Sequence, residues 1–430
     1  MRILIKNGRV IDPSQNMDCI TNILIEDGLI KKLPSNKESI KNRKDLRIID
    51  AGGKIVTPGL VDIHVHLREP GYEHKETIKT GSYSAAAGGF TSIACMPNTD
   101  PINDNASVTE YILLKARTEG IVNVFPIGAI TNDEKGETMA DIGEMHKAGC
   151  VAISDDGMPV MNSNIMRRAM EYANSFHIPV ITHAEDKYLS DNGVMNEGEV
   201  STKLGLRGIP GSSEEVMIYR DINLAELTGG HLHVAHVSTE GSVRLIRDAK
   251  SRGVNVTAEA TPHHFTLTDG ALTEYDTNAK MNPPLRTAKD VDAVIEGLKD
   301  GTIDAIATDH APHSVDEKNV EFDTAPFGIV GLETALGLSL KLMDKGLLTL
   351  YEIIQKLTIN PSNILNLNRG TLQKGEFADI LIFDPAEEWI VDPANFYSKS
   401  RNTPFVGWHL KGKINYTIVS GNIVYSDTDS

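Results

Sequence analysis

The chain has 430 residues, 40% hydrophobic and 23% charged, with 42 Lys plus Arg against 59 Asp plus Glu and a formal charge of -17. That is the composition of an ordinary globular protein, and without a long Lys/Arg run it excludes nucleic acid and anionic membrane as partners recognised through the overall field. Three scattered cysteines, Cys19, Cys95 and Cys150, form no CxxC pair, which argues against both a disulfide framework and a cysteine zinc site.

The opening residues interrupt their apolar run with Lys6 and Arg9, and no stretch of about 18 apolar residues appears. A cytoplasmic address is therefore expected. Residues 1–57 read as short strands with turn signals: Ile3 to Ile5, Asn7-Gly8, Ile23 to Ile25, Asp27-Gly28, Ile48-Ile49 and Gly52-Gly53. The same texture returns in 366–430, with Ala378 to Phe383, Tyr416 to Val419 and Ile423 to Tyr425.

Between them, over 58–365, short apolar runs alternate with amphipathic stretches, the signature of βα units around a parallel sheet. The runs are Leu60 to His66, Thr91 to Met96, Val122 to Ile130, Cys150 to Ile153, Pro179 to Thr182, His231 to Val237, Val254 to Ala258 and Ile303 to Ala307. Helices are predicted over Glu76 to Ala87, Glu137 to Ala148, Ile165 to Phe176, Ser212 to Leu227 and Ala288 to Leu298. Eight such units suit a (β/α)8 barrel, whose chemistry is built where the strands end.

Six of the runs end in groups that bind metal or move protons: His64 and His66, Asp155 and Asp156, His183, His236, His263 and His264, then Asp309, His310 and His313. More than half of the 14 histidines fall in these places. His64 and His66 are two residues apart on a strand and so point the same way. Imidazoles there suit zinc, with His183 and His236 as a second nitrogen pair. Two metals a few ångströms apart need an anionic bridge, which either Asp155 or Asp156 can supply. The spacing does not choose between them, and an Asp-Gly turn is the bland alternative. Asp309 could touch a metal and carry a proton.

The runs Val61 to Gly71 and Ala307 to Lys318 resemble the two signature segments of the dihydroorotases, within the amidohydrolase superfamily. Met96-Pro-Asn98, Ile181 to Glu185, Val234 to Ser238, Met281 to Arg286 and Pro326 to Thr334 also match in order, so the resemblance covers the whole chain. It implies a barrel beside a small β-sandwich made from both chain ends. It implies two zinc ions per subunit, one on His64 and His66 and one on His183 and His236, bridged by Asp156 and a hydroxide, with Asp309 as ligand and general acid/base. It further implies that His66, Arg68, Asn98, Asn282 and His313 hold the substrate, with backbone contacts from Phe327 and Gly328. The implied reaction is reversible cyclisation of N-carbamoyl-L-aspartate to (S)-dihydroorotate and water, a step of de novo pyrimidine (UMP) formation. A homodimer is expected, and the preceding enzyme, aspartate carbamoyltransferase, is a candidate partner.

Hydantoinases, dihydropyrimidinases and allantoinases are the alternatives within the same superfamily. The first two are expected to bridge their metals with a carboxylated lysine, and Cys150 to Gly157 contains none. A non-catalytic scaffold for aspartate carbamoyltransferase is the alternative outside enzymes, and it is disfavoured because every expected ligand is present.

Other polar residues carry humbler expectations. His231 and His233 have opposite parity to His236 and are expected to face away from the barrel interior. Packing or support of the site is expected for His263, His264 and His310, a surface or loop position for His74, and a buried apolar role for Cys95. An ion pair to Glu69 or Glu73 is the bland reading of Arg68. The acidic stretch Ser314 to Ala325 is the candidate mobile segment.

Overall fold

The computed structural model describes residues 2–32 and 46–427, so parts 33–45 and 428–430 of the expected terminal segments lie outside the described residues. Eight parallel strands form the barrel: β1 (Leu60–Val65), β2 (Phe90–Cys95), β3 (Asn123–Pro126), β4 (Ile153–Ser154), β5 (Val180–Thr182), β6 (Leu232–Val234), β7 (Val256–Ala260) and β8 (Ala305–Ile306). Ladders join β1 to β3 and β4 to β8 in chain order. Two single bridges close the ring, Gly128 with Ile153 and Val65 with His310.

Each gap holds a helix: Ile78–Ala87, Ala106–Glu119, Ile142–Ala148, Ser163–Asn174, Gly211–Thr228, Glu240–Ser251 and Ala288–Asp300. Their starts are set locally, by side-chain caps from Thr77, Asn105, Asp141, Asn162, Thr239 and Thr287. The Asp141 cap explains why the helix expected from Glu137 begins only at Ile142.

Several expected strands shrink to a few paired residues, because the chain leaves the ladder to reach the barrel mouth. His236 and Asp309 mark two of these departures, with φ of 33° and 47°. Inside the barrel, Val61, Ile63, Ala94, Ile127, Ala152, Ile181, Ala235 and Ala305 pack together, with Ile364 and Leu365 in the same cluster. The alternate residues, such as Leu60, Ile93, Val180, Leu232 and Val234, pack against the helices in a larger layer.

Both chain ends build one further sheet of eight strands. Its amino-terminal strands are Arg2–Asp12, Met17–Glu26, Leu29–Lys32, Leu46–Asp50 and Ile55–Pro58, and its carboxyl-terminal ones are Ile380–Ile390, His409–Val419 and Asn422–Ser426. The halves meet where Ile55–Pro58 pairs antiparallel with Ile380 to Phe383. Strand Arg2–Asp12 pairs in parallel with Leu46–Asp50 along its first half and with Ile55–Pro58 further on, so the sheet forks there. Ile3, Ile5, Val10, Ile23, Ile25, Val56, Ile380, Ile382 and Ile418 form its own core. The barrel with a terminal β-unit is the fold class expected from sequence.

Candidate active site

The strand ends converge on one buried carboxylate. Asp156, just past β4, has Oδ1 3.4 Å from His64 Nε2 and 3.6 Å from both His183 Nδ1 and His236 Nε2, and Oδ2 3.5 Å from His66 Nε2. Two groups of groupings suited to a metal ion share it, His64, His66 and Asp156, then Asp156, His183 and His236. Asp309 joins them, its Oδ1 3.0 Å from His66 Nε2 and 3.6 Å from His64 Nε2. The alternative left open by spacing also resolves. Asp155 accepts hydrogen bonds from the backbone of Ile130 and Thr131 and from the Thr131 hydroxyl, and so ties β4 to the loop after β3.

These residues fit cations. His64 Nε2 and Asp156 Oδ1, which face one another at the centre, are buried without a hydrogen-bond partner, a costly arrangement unless something else meets them. Burial works against charge on His64 and His183, yet the surrounding carboxylates hold His64 well above its usual range and push His183 up to about 9. Burial likewise opposes ionisation of Asp156 and Asp309, but the ring cluster holds both below the usual carboxylate range. The site therefore favours positive charge at its centre, which a divalent metal supplies without protons.

The ring nitrogens turned away from the centre are mostly occupied. His64 Nδ1 meets Glu259 Oε1 at 2.6 Å, His66 Nδ1 meets Asn98 Oδ1 at 2.9 Å, and His183 Nε2 meets Glu185 Oε2 at 3.3 Å. Asn282 donates to Glu185 Oε2 at 2.9 Å, so Asn98 and Asn282 both reach the cavity and support a ring.

A cavity of about 610 Å³ opens above the cluster. His66, Arg68, Asn98, Asp156, His183, His236, Asn282, Asp309, His313, Phe327 and Gly328 all line it, and of the expected site residues His64 alone lies beneath. Arg68, with φ of 61°, turns into this mouth, where it donates to the Pro312 carbonyl at 3.2 Å. Neither acid of the bland reading takes it: Glu69 binds the Ile78 amide and Lys115, while Glu73 accepts from the Gly71 amide. His313 Nε2 lies 2.8 Å from the Phe327 carbonyl.

Two expectations are corrected. His233 faces the barrel interior, because its parity partner Ala235 packs in the inner cluster; its Nε2 lies 3.1 Å from Glu259 Oε2. His236 reaches the site only through its left-handed backbone, so counting alternation through it from β6 gave the wrong side. The segment 314–325 is fastened: Ser314 caps the helix Val315–Lys318, and Lys318 Nζ donates to the carbonyls of Thr277, Lys280 and Pro326.

Supporting roles fall to other histidines, His264 bonding Thr261 and Pro283, and His310 bonding Glu76. His74 is exposed beside Glu317, and Cys95 is buried and free. Glu259 and Glu185 were missed as functional candidates. An acid inside the apolar run Val254 to Ala260, in phase with Thr257, was the available signal for the first, and its place in Thr182-His-Ala-Glu185 for the second.

Residues 53–242 match the profile of a family described as Dihydro-orotase-like. A dihydroorotase of Geobacter metallireducens is 58% identical over 425 residues, covering 99% of this chain and 100% of its own length. One from Acetivibrio thermocellus is 57% identical, covering 98% of each. The chain belongs to the dihydroorotase family.

Solved structures add the architecture. An L-hydantoinase (dihydropyrimidinase) from Arthrobacter aurescens superposes with a TM-score of 0.87 at 27% identity, over 99% of this chain and 96% of its own. A dihydropyrimidinase from Brevibacillus agri gives 0.86 at 22% identity, over 99% and 95%, and so speaks to the fold alone. Dihydroorotase membership makes the chain a hydrolase acting on a cyclic amide. No helix among the described residues is long and apolar enough to cross a membrane.

Proposed function

We propose that this cavity interconverts N-carbamoyl-L-aspartate and (S)-dihydroorotate in pyrimidine formation. The observation that carries the reading is the place of Asp156, whose two oxygens face all four histidines beside Asp309. His64 and His66 would hold one zinc ion and His183 and His236 the other, with Asp156 between them and Asp309 as a further ligand. Such ions supply a hydroxide near neutral pH and polarise the substrate carbonyl.

The chain's own groups then divide the remaining work. In ring opening, a water oxygen adds to the ring carbonyl carbon and the carbon–nitrogen bond breaks. Asp309, kept ionised by the rings around it, takes the water's proton and passes it to the leaving nitrogen. In closure it takes the ureido proton as that nitrogen attacks the side-chain carboxyl, and water leaves. Arg68 offers its planar fork to the carboxylate that stays unreacted. Asn98, Asn282 and His313 would orient the ring, with the Phe327 and Gly328 backbone closing one side.

The test is a two-way assay of purified, zinc-loaded protein alongside metal analysis. Interconversion of carbamoyl-aspartate and dihydroorotate with two zinc ions per chain is expected. Turnover of hydantoin or dihydrouracil but not dihydroorotate would overturn the substrate. The proposed homodimer, and association with aspartate carbamoyltransferase, are read by sedimentation of the protein alone and mixed with that enzyme.

A further inference from the structure

His64 is backed by a series of polar groups that the proposed reaction does not use. Glu259 on β7 is 1% exposed. Its Oε1 lies 2.6 Å from His64 Nδ1 and its Oε2 lies 3.1 Å from His233 Nε2. Further from the site, Thr257 Oγ1 lies 2.9 Å from His233 Nδ1 and 2.8 Å from His231 Nε2. Register fixes these neighbours, since His233 on β6 pairs directly with Thr257 on β7.

When metal ions in place of protons supply the positive charge at the centre, so that His64 and His233 are neutral and Glu259 is ionised, one proton arrangement remains. An ionised carboxylate only accepts, so His64 Nδ1 and His233 Nε2 must both carry hydrogen. A neutral imidazole has a single N–H, which makes His233 Nδ1 an acceptor and the Thr257 hydroxyl its donor. That hydroxyl must in turn accept from His231 Nε2–H. At the other end His64 is left with a lone pair on Nε2, the buried atom without a hydrogen-bond partner that faces Asp156 and Asp309.

The geometry points to Glu259 as a positioning residue, which, with His233, Thr257 and His231 behind it, locks His64 in the tautomer that presents Nε2 to a metal ion. This rests on the two-metal reading above. A carboxylate behind a ligating imidazole fixes the ring and strengthens it as a donor, and losing such a partner lowers metal affinity about 10- to 100-fold. The backing of the other rings differs: a neutral amide behind His66, a carboxylate shared with Lys187 and Asn282 behind His183, and an unpartnered Nδ1 on His236. Loss of Glu259 should therefore be felt at one of the two ions.

The experiment measures zinc affinity by competition with a chromophoric chelator, for wild type and Glu259→Gln. Expected is a fall of about 10- to 100-fold for one equivalent, with the other unchanged. Equal affinity of both proteins for both equivalents overturns the proposal. Histidine-selective ¹⁵N spectra of zinc-loaded wild type give a second readout that needs no folded variant. Nδ1–H on His64 and Nε2–H on His233 and His231 support the relay, and any other tautomer on His64 or His233 overturns it. Wild type that binds two zinc ions without turning over dihydroorotate removes the proposed substrate and leaves this assignment standing. Wild type that binds none removes both.

Discussion

Arg68 and His313 face one another across the cavity mouth, with Arg68 Nη2 3.4 Å from His313 Nε2. Burial and the cations Arg68, Lys318 and Lys75 push the His313 imidazole down to about 2, so the pair carries its positive charge on Arg68 alone. Replacing Arg68 by Met should raise KM for both dicarboxylate and dihydroorotate by about tenfold or more, since a hydrogen bond to a charged group contributes about 1.5–3 kcal/mol. The effect on kcat should be smaller. Steady-state kinetics in both directions check this, and an unchanged KM would remove Arg68 from the substrate.

Asp309 is suited to a clean substitution because its φ of 47° is a conformation Asn also accepts. Asp309→Asn keeps the shape and removes the proton carrier. In protein shown by metal analysis to carry both zinc ions, the variant's kcat should fall by at least about a hundredfold. Near-normal turnover would contradict the assigned role.

Metal removal should register in stability as well as rate. Ions that bind only the folded chain stabilise it by mass action, so dialysis against a strong chelator should lower Tm and added zinc should restore it. Calorimetry of the same sample before and after dialysis reads the difference.

Lys318 is a buried cation whose ammonium meets three carbonyls, and burial beside Lys280 lowers it to about 7. Lys318→Met would leave the Pro326 carbonyl without its donor, at a cost of about 1–3 kcal/mol, whereas the carbonyls of Thr277 and Lys280 keep the amides of Lys280 and Gly328. Because Pro326 is next to the Phe327 and Gly328 wall, faster amide exchange across 314–328 and a higher KM are expected together. Unchanged exchange would show that the segment is held elsewhere.

Acid sensitivity has an identifiable contributor in His264. Burial lowers its imidazole to about 4, and it accepts from Thr261 and donates to Pro283 as a neutral ring. Between pH of about 6.5 and 4 the unfolded chain binds the extra proton, so folding stability falls as pH falls through that window and levels off below it. The loss is on the order of 3 kcal/mol. His264→Gln should show a correspondingly shallower dependence in denaturant titrations of zinc-loaded protein across that range.

The barrel was legible because its strands are apolar runs separated by amphipathic helices, and the ligand cluster because histidines recur where those runs end. Alternation also gave the shared direction of His64 and His66. It failed at His236, since counting by two assumes an extended backbone and the residue is left-handed. The error carried to His233 and hid Glu259, whose partners lie on other strands. The anchoring of 314–325 was invisible for a different reason. A lysine in an acidic stretch looks solvated until the carbonyls of 277, 280 and 326 are brought around it.

The bridge between Val65 and His310 closes the barrel, and its neighbours are His66 and Asp309. Residues separated by 243 positions thus become partners only at the seam where the first strand meets the last. Such long-range contacts must meet a large loop-closure cost and are slow to form. A nascent or truncated chain lacking residues beyond 305 can neither assemble this centre nor retain ions through it, so the appearance of activity during refolding is a direct clock for ring completion.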